Sequence, residues 1–163
     1  MNWDRLVFEL HGLKIYKKLN WLNELPLDEA EYVFRECCGS SEWATRMARS
    51  RPFPMLDHLF VRADEIWAAL SPADLLEAIA ADDDIDAGVV TVPEVRRKLA
   101  DAMSLYISRF GFRFVLRTAD KSADEILAIC HSRLGNSPAT ELMIATEEQR
   151  KITEDRLGKL LER

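Results

Sequence analysis

The sequence predicts an all-α fold, and three observations carry this prediction. Apolar residues recur at intervals of three and four through most of the 163 residues, which is the period of an amphipathic helix. Serine, aspartate, glycine and proline, which begin and end helices, separate these stretches. The run Phe110–Leu116 could form a strand but has no second run to pair with, so we expect an extended connection there. The expected structure is a single domain, a compact bundle of about seven or eight helices.

Helix boundaries follow from the separating residues. Residues suited to cap a helix N-terminus are Asp28, Ser40 or Ser41, Ser71, and Ser122 or Asp124. Gly39 and Gly135 suit helix C-termini. The predicted helices run over residues 3–20, 29–37, from 40 or 41 up to Pro52, 54–69, 72–81, 93–107, from 122 or 124 to 134, and 140–161.

The first predicted helix, residues 3–20, has two interpretations. Its apolar residues have helical spacing: Trp3, Leu6, Val7, Leu10, Leu13, Tyr16 and Leu19. This pattern favours a helix that packs its apolar stripe on the core. The alternative is an additional arm for dimerisation or for docking a partner.

Composition and charge narrow the classes of partner. The net charge is −6 and no Lys/Arg-rich block occurs, which argues against nucleic acid, because that binding rests on neutralising phosphates. No apolar run approaches the ~20 residues of a membrane span, and the N-terminus lacks a signal-like apolar segment. Cys37, Cys38 and Cys130 are odd in number and include an adjacent pair, a poor disulfide framework. We therefore expect a cytoplasmic protein with no nucleic-acid or membrane partner.

An acidic segment separates two of the predicted helices. Asp82, Asp83, Asp84 and Asp86 place four carboxylates within five residues. An isolated charge run of this kind is usually a solvated turn. Its meaning depends on the sequence around it.

The surrounding sequence resembles one family along most of its length. The residues that carry the resemblance are Phe34, Cys38-Gly39-Ser40, Trp43-Ala44, Met47-Ala48, Arg51-Pro52-Phe53, Trp67, the run from Asp74 to Ala81, Tyr106, Arg109-Phe110-Gly111-Phe112, Phe114, Glu125-Ile126-Leu127, Arg133-Leu134, Asn136, Glu141, Ala145, Glu148, Ile152 and Arg156-Leu157. In this order they resemble the OHCU decarboxylases, the 2-oxo-4-hydroxy-4-carboxy-5-ureidoimidazoline decarboxylases. The resemblance covers residues 23–163 and leaves residues 1–22 as an N-terminal helical arm.

The resemblance implies a function as well as a fold. It implies an all-α enzyme, usually a homodimer, that decarboxylates a small molecule late in urate breakdown without a cofactor. Loss of carbon dioxide leaves a carbanion that must be protonated on one face. In the family a histidine usually supplies the proton, and hydrogen bonds hold the anionic substrate.

The acidic segment replaces the motif that carries that histidine. The family has His-Pro-Arg-Ile-Gly directly after the helix that ends here at Ala81. In this frame the histidine position is Asp82, the proline and arginine positions are Asp83 and Asp84, and Ile85 is kept. The motif is replaced as a whole and its charge is inverted. Asp82 is therefore the predicted acid or base by position.

The resemblance supplies three further parts of the predicted site. The family motif Ser-x-x-Glu-Gln matches residues 91–95 if Glu94 is the retained acid; alternatively, the motif is deleted and residues 93–107 match the helix beyond it. The family segment Phe-Gly-Phe-Pro-Phe, whose backbone contacts substrate, corresponds to residues 110–114, with Arg113 in place of proline. Arg156 corresponds to a substrate-holding arginine, or is an ordinary charged residue on a helix face. The predicted site is Asp82 and Glu94 as catalytic residues, with Asp84, Phe110, Gly111, Phe112 and Arg156 binding substrate.

The inverted charge changes the expected substrate. An ionised aspartate cannot donate a proton, and each carboxylate ~4 Å from an anionic substrate would cost about 1 kcal/mol in water and up to about 4 kcal/mol in a partly buried site. The favoured hypothesis is a diverged enzyme with cofactor-free, lyase-type proton transfer or decarboxylation. Its small polar substrate would be neutral or cationic, or bound through a metal. The alternatives are a non-catalytic protein-interaction module and a genuine decarboxylase with a substituted acid.

Other chemistry has less support in the sequence. Asp82-Asp83-x-x-Asp86 fits a pattern that holds magnesium in isoprenoid synthases, and hard cations prefer clustered carboxylates. The chain is short for the cavity of those enzymes and has no second metal motif, so no metal site is predicted. The histidines, His11, His58 and His131, are not placed to take over the missing role.

Overall fold

The computed structural model describes residues 3–82 and 90–163. In these ranges it contains eight α-helices and no strand, which confirms the predicted all-α class. The helices are α1 Trp3–Glu24, α2 Leu27–Cys37, α3 Ser41–Arg49, α4 Leu56–Ala68, α5 Pro72–Ala81, α6 Pro93–Phe110, α7 Ala123–Arg133 and α8 Pro138–Glu162. None of these described helices is both long and apolar enough to cross a membrane.

Serine caps fix the starts of three helices, as predicted. Ser40 and Ser122 each accept a hydrogen bond of 3.2 Å from the backbone N–H three residues further on. Ser71 accepts one of 3.1 Å from Asp74 N, and its hydroxyl donates to the Asp74 carboxylate at 2.7 Å. These bonds satisfy donors that a helix N-terminus leaves unpaired.

Several helix boundaries differ from the prediction by a few residues, among them the start of α2 and the end of α1. Asp28 is not a cap, because α2 begins one residue earlier, at Leu27, with Pro26 at the N-cap position. The Asp28 carboxylate instead lies in the first helical turn, where a negative charge suits the helix dipole. α1 continues past the predicted end at residue 20, to Glu24.

The chain divides into two compact units. One comprises Met1–Asp74 and Thr153–Arg163, and the other comprises Leu75–Ile152. Both α5 and α8 contribute residues to each unit. The single-domain organisation predicted from chain length remains a prediction.

Aromatic residues of the family motif form the core of the first unit. Phe34 contacts Trp43 and Phe53 edge to face, with ring centroids 6.0 and 6.4 Å apart. Trp43 is fully buried, and its indole N–H donates to Ala63 O at 3.1 Å. These motif residues therefore serve packing.

Polar residues of the same unit tie the end of α1 to the segment after α3. Arg51 Nη1 donates to the carbonyls of Leu22 (2.8 Å) and Leu25 (2.7 Å). Asn23 donates to Phe53 O and accepts from Phe53 N, both at 2.8 Å. The Arg51-Pro52-Phe53 motif thus has a structural role here.

The first helix, α1, is buried only near its C-terminal end. Leu19 and Leu22, near that end, are buried. Trp3, Val7 and Leu10, in the N-terminal half, are 68%, 63% and 57% exposed. The packing interpretation therefore holds for the C-terminal part of α1, whereas the described chain leaves the N-terminal stripe uncovered.

A buried ion pair organises the second unit. Arg133 Nε donates to Glu141 Oε1 at 2.6 Å, and its Nη1 donates to Val115 O at 2.6 Å. Tyr106 and Asn136 also donate to the Glu141 carboxylate, which is fully buried. Because the Arg133 guanidinium and the Glu141 carboxylate are both hydrogen-bonded, the free-energy cost of burying their charges is offset. These family-motif residues therefore stabilise the unit.

Candidate functional site

A cavity of about 560 Å³ opens in the second unit at the end of α5. Its lining residues are Leu76, Ile79, Ala80, Asp82, Ile107, Gly111, Phe112 and Arg113. Among these residues, only Asp82 and Arg113 are ionisable. Apolar walls combined with a few convergent polar groups are a common form of small-molecule site.

Among the described residues, Gln149 and Arg113 hold the Asp82 carboxylate. Its Oδ2 accepts a hydrogen bond from Gln149 Nε2 at 2.7 Å and lies 3.5 Å from Arg113 Nη2. The Asp82 side chain is 15% exposed and that of Arg113 is 10% exposed. Gln149 is fully buried. At this depth, solvent and salt screen the ion pair less than they screen a surface pair.

Arg113 is anchored on three parts of the same unit. Its Nε donates to Ile79 O at 2.6 Å, and its Nη2 donates to Gln149 Oε1 at 3.1 Å. Its Nη1 donates to Phe114 O at 3.4 Å. Ile79 lies in the last turn of α5, where backbone carbonyls have no partner within the helix. Arg113 therefore fixes the end of α5, next to Asp82, against the segment that follows α6.

A glycine turn directs that segment to the cavity. α6 ends at Phe110, and Gly111 adopts a φ of +80°, a conformation that favours glycine. Gly111 N donates to Ile107 O at 2.8 Å. After this turn, Phe112 lines the cavity whereas Phe114 is buried.

The structure brings several predicted site residues together. Asp82, Gly111 and Phe112 line the same cavity. The Phe110 ring packs on Tyr106, with centroids 4.7 Å apart, and is not part of the lining. Asp84 lies outside the described residues.

Glu94 and Arg156 lie elsewhere. Glu94 is in the first turn of α6, with a side chain that is 67% exposed and 3.2 Å from Lys98 Nζ, and it does not line the cavity. Arg156 belongs to the first unit. There its Nη1 donates to Cys37 O at 3.4 Å, and it lines a cavity of about 140 Å³. The catalytic role of Glu94 and the substrate-binding role of Arg156 remain predictions.

The sequence prediction omits two residues of this arrangement, Arg113 and Gln149. Arg113 is recognisable in the sequence only as a replacement for the family's proline. Gln149 carries a clearer signal, because Ala145, Gln149 and Thr153 recur at four-residue intervals on the buried face of α8. A polar side chain on a buried face requires a hydrogen-bond partner, and Asp82 and Arg113 provide it.

Neither metal ligation nor thiol chemistry has support in the described residues. No group of three or more histidine, cysteine or acidic side chains within residues 3–82 and 90–163 could hold a metal ion. The Asp-Asp-x-x-Asp pattern extends beyond these ranges. Burial raises the pKa of Cys37 to about 12 and that of Cys130 to about 11, so both are thiols at neutral pH and poor nucleophiles.

A larger cavity lies in the first unit between α3 and α4. Its volume is about 790 Å³, and it is open and lined largely by exposed residues, including Arg49, His58 and Arg62. No predicted site residue lines it. The cavity that contains Asp82 is therefore the stronger candidate site.

Known proteins are similar to the chain in sequence. A family model described as OHCU decarboxylase matches residues 23–90 and 82–158, two segments that overlap at the acidic segment. Uric acid degradation bifunctional protein TTL of Arabidopsis thaliana is 29% identical over 157 residues; the match covers 83% of this chain and 48% of that protein. The 2-oxo-4-hydroxy-4-carboxy-5-ureidoimidazoline decarboxylase of Haloferax volcanii is 29% identical over 157 residues, covering 86% of this chain and 94% of that protein. The chain thus spans about half of the first relative and most of the second.

Solved structures share the fold. The crystal structure of an OHCU decarboxylase in the presence of (S)-allantoin aligns with a TM-score of 0.74 and 33% identity, covering 80% of this chain and 97% of that one. The crystal structure of an (S)-allantoin synthase aligns with a TM-score of 0.74 and 20% identity, covering 87% of this chain and 53% of that one. At the latter identity the likeness concerns the fold alone.

Proposed function

Since the chain belongs to the OHCU decarboxylase family of urate degradation, we propose that it is an enzyme of that fold whose substrate has changed. The proposed chemistry is cofactor-free proton transfer or decarboxylation on a small polar molecule other than the family's ureidoimidazoline. Asp82 is the proposed acid or base, and Gly111 and Phe112 contact the substrate. The cytoplasm is the proposed location.

One observation carries the proposal. Asp82 stands where the family has its histidine, Arg113 stands where the family has a proline, and the two side chains form an ion pair at the cavity. Loss of function alone would not favour two replacements that contact each other. The buried Gln149 amide bridges the same two side chains. The arrangement therefore supports a site that has been rebuilt.

The rebuilt site is poorly suited to the family reaction. A protonated histidine brings a positive charge and a proton to an anionic substrate. An ion pair with a guanidinium requires the ionised carboxylate, which accepts a proton rather than donating one. The Asp82–Arg113 pair also brings no net positive charge to attract the substrate's carboxylate.

The test measures carbon dioxide release from the family's ureidoimidazoline by the purified full chain. The Haloferax volcanii relative is the positive control. General acid catalysis typically contributes 10²–10⁴-fold, so we expect a rate lower than the relative's by roughly that factor or more. Robust turnover would contradict the proposal and favour a genuine decarboxylase with a substituted acid, in which case Asp82→His would change the rate rather than create activity.

A second candidate function, a protein-interaction module, is favoured by the uncovered face of α1. Trp3, Val7 and Leu10 are exposed, and they precede the family match, which begins at residue 23. Exposed apolar patches on helices commonly mark interaction sites. This function is compatible with the homodimer that the family resemblance predicts.

The occupant we favour for this face is a second copy of the chain, packed antiparallel. The N-terminal half of α1 carries Asp4 and Glu9 and is net acidic even with Arg5 included, whereas the C-terminal half carries Lys14 and Lys17. An antiparallel pair brings opposite charges together, and a two-fold interface requires such self-complementarity.

Light scattering of the full chain tests the occupant. We expect a dimer that Leu10→Glu converts to a monomer, whereas Met143→Glu has no effect, because Met143 is 73% exposed on α8. A monomeric wild type, or a dimer unchanged by Leu10→Glu, would exclude self-association through α1.

A further inference from the structure

The cavity between α3 and α4 in the first unit combines apolar and cationic surface. Its apolar lining comes from Phe53, which is 3% exposed, from the proline on either side of it, and from Val61 of α4. Arg46 and Arg49 of α3 and Arg62 of α4 line the same cavity. A ligand here therefore meets apolar surface and guanidinium groups from two helices.

These three arginines keep N–H groups that the fold does not use. The neighbouring Arg51 donates to three backbone carbonyls at 2.7, 2.8 and 2.9 Å and so serves the fold. Arg49, in contrast, makes no hydrogen bond or ion pair with any residue of ranges 3–82 and 90–163. Arg46 donates from Nε at 2.6 Å, and Arg62 donates from Nε and Nη1 at 3.0 and 3.1 Å. Within the described chain, each of the three therefore has N–H groups left for a ligand.

The carboxylates around this cavity leave Arg49 as its least compensated charge. Arg46 and Arg62 each pair with a carboxylate of their own helix. Asp57 also lines the cavity, but it lies in the first turn of α4, whose N-terminus has no side-chain cap. The positive end of that helix dipole offsets part of the Asp57 charge. No described side chain pairs with Arg49, so the cavity favours an anion.

The arrangement of donors suits a phosphate. A guanidinium donates two parallel N–H bonds to two oxygens of a carboxylate or a phosphate. Because arginines reach this cavity from two helices, the three terminal oxygens of a phosphate offer more partners than the two coplanar oxygens of a carboxylate. The uncapped start of α4, beside the lining residue Pro54, adds backbone N–H groups of the kind that bind phosphate.

The cavity is larger than a phosphate ion requires. Its volume of about 790 Å³ is in the range of sites for drug-sized ligands. Apolar surface such as that of Phe53 and Val61 stabilises a flat hydrocarbon group by removing it from water. The lining therefore favours an anion that carries an apolar body.

We propose that the cavity between α3 and α4 binds a phosphate monoester with a flat, apolar body. Arg49 binds the phosphate, and Arg46 and Arg62 donate the N–H groups that their ion pairs leave over. The apolar body packs on Phe53 and Val61. This second binding site lies in the first unit and does not depend on the function proposed for the cavity at Asp82.

Three matched probes test the ligand class on the full chain. They are 2-naphthyl phosphate, 2-naphthol, which lacks the phosphate, and inorganic phosphate, which lacks the apolar body. NMR titration measures each affinity and locates binding through the backbone amides of Ser50, Phe53 and His58 and the Nε–H signal of Arg49. We expect 2-naphthyl phosphate to bind at least about tenfold tighter than either of the other probes.

Removal of the Arg49 charge tests the phosphate contact. Arg49→Gln should weaken binding of 2-naphthyl phosphate about fivefold, the effect of one charge at ~4 Å in water, and leave binding of 2-naphthol unchanged. Arg97→Gln is the matched control, because Arg97 is an exposed arginine of α6 that does not line the cavity. It removes the same charge and should change neither affinity.

A change of opposite sign comes from the carboxylate in the lining. Asp57→Asn removes a negative charge from the cavity and should tighten binding of 2-naphthyl phosphate by up to about fivefold, again without effect on 2-naphthol. A variant that merely distorted the cavity would weaken both probes alike. Circular dichroism monitors folding of every variant.

The wild-type affinities decide the inference even if a variant does not fold. Binding of 2-naphthol or inorganic phosphate as tight as that of 2-naphthyl phosphate would overturn it. No shift at Ser50, Phe53, His58 or Arg49 on addition of 2-naphthyl phosphate would do the same. Equal losses for Arg49→Gln and Arg97→Gln would show a general attraction of anions to the chain and also contradict the inference.

Discussion

Asp82 and Arg113 form an ion pair, with 3.5 Å between Oδ2 and Nη2, at two positions where the predicted family frame has a histidine and a proline. Either residue alone would leave a poorly solvated charge beside the cavity, because both side chains are at most 15% exposed. If both residues are replacements, as the family frame predicts, the pair gives a physical reason for them to occur together.

The coupling of this pair is measurable as a double-mutant cycle. Asp82→Ala and Arg113→Ala should each lower the free energy of unfolding, and the double variant should lower it by less than their sum, with a coupling of about 1–3 kcal/mol. Urea denaturation provides the values. The exposed pair Arg62–Glu65 is the control, with an expected coupling below about 1 kcal/mol. Additive losses at Asp82 and Arg113 would argue against the pair.

The turn at Gly111 should resist substitution. Its φ of +80° strains any residue with a Cβ, so Gly111→Ala should cost about 1–2 kcal/mol of unfolding free energy. Gly158→Ala is the control, since Gly158 lies within α8 and a Cβ there meets nothing within 4 Å. That change should be neutral or stabilising by up to about 1 kcal/mol. Equal effects of the two substitutions would contradict the turn geometry.

The Arg133–Glu141 pair should contribute to stability and not to chemistry. Arg133→Met leaves a fully buried carboxylate without its cation, and we expect a loss of about 3–5 kcal/mol in thermal or urea unfolding. Arg62→Met, at a side chain that is 48% exposed, should change stability by less than about 0.5 kcal/mol. A small loss for Arg133→Met would show that the pair is dispensable to the fold.

Alkaline pH should destabilise the protein through its buried thiols. Burial raises the pKa of Cys130 from 9.0 to about 11 and that of Cys37 from 9.0 to about 12. Above pH 9.0 the unfolded state therefore releases protons that the folded state still holds. The thiols' contribution to stability is complete below pH 9.0 and falls as pH rises through the folded pKa values. Cys130→Ala should make the loss of stability between pH 9 and 11 shallower, by up to about 1.4 kcal/mol per pH unit. A slope identical to that of the wild type would be the contrary result.

Local patterns account for the part of the fold that the sequence predicts correctly. Helix caps such as Ser40, Ser71 and Ser122 act within one helical turn, so spacing along the chain suffices to find them. Periodicity alone does not say what covers an apolar stripe. Periodicity therefore predicts burial equally for two residues of α1, Trp3, which is exposed, and Leu19, which is buried.

The candidate site could be predicted only in part, because its key contacts join distant segments. The family frame identifies the position of Asp82. The contacts that give it meaning come from two other parts of the second unit. Arg113 lies in the segment between α6 and α7, and Gln149 lies within α8. No local rule relates these residues, and only the folded chain brings an arginine and a buried amide to the same carboxylate.

The rate of carbon dioxide release from the family's ureidoimidazoline, relative to that of the Haloferax volcanii enzyme, tests the changed substrate most directly. If Asp82 and Arg113 have rebuilt the site, the purified full chain should release carbon dioxide more slowly than the relative by roughly 10²–10⁴-fold or more. A rate within about tenfold of the relative's, a difference of only about 1.4 kcal/mol in the barrier, would contradict the account.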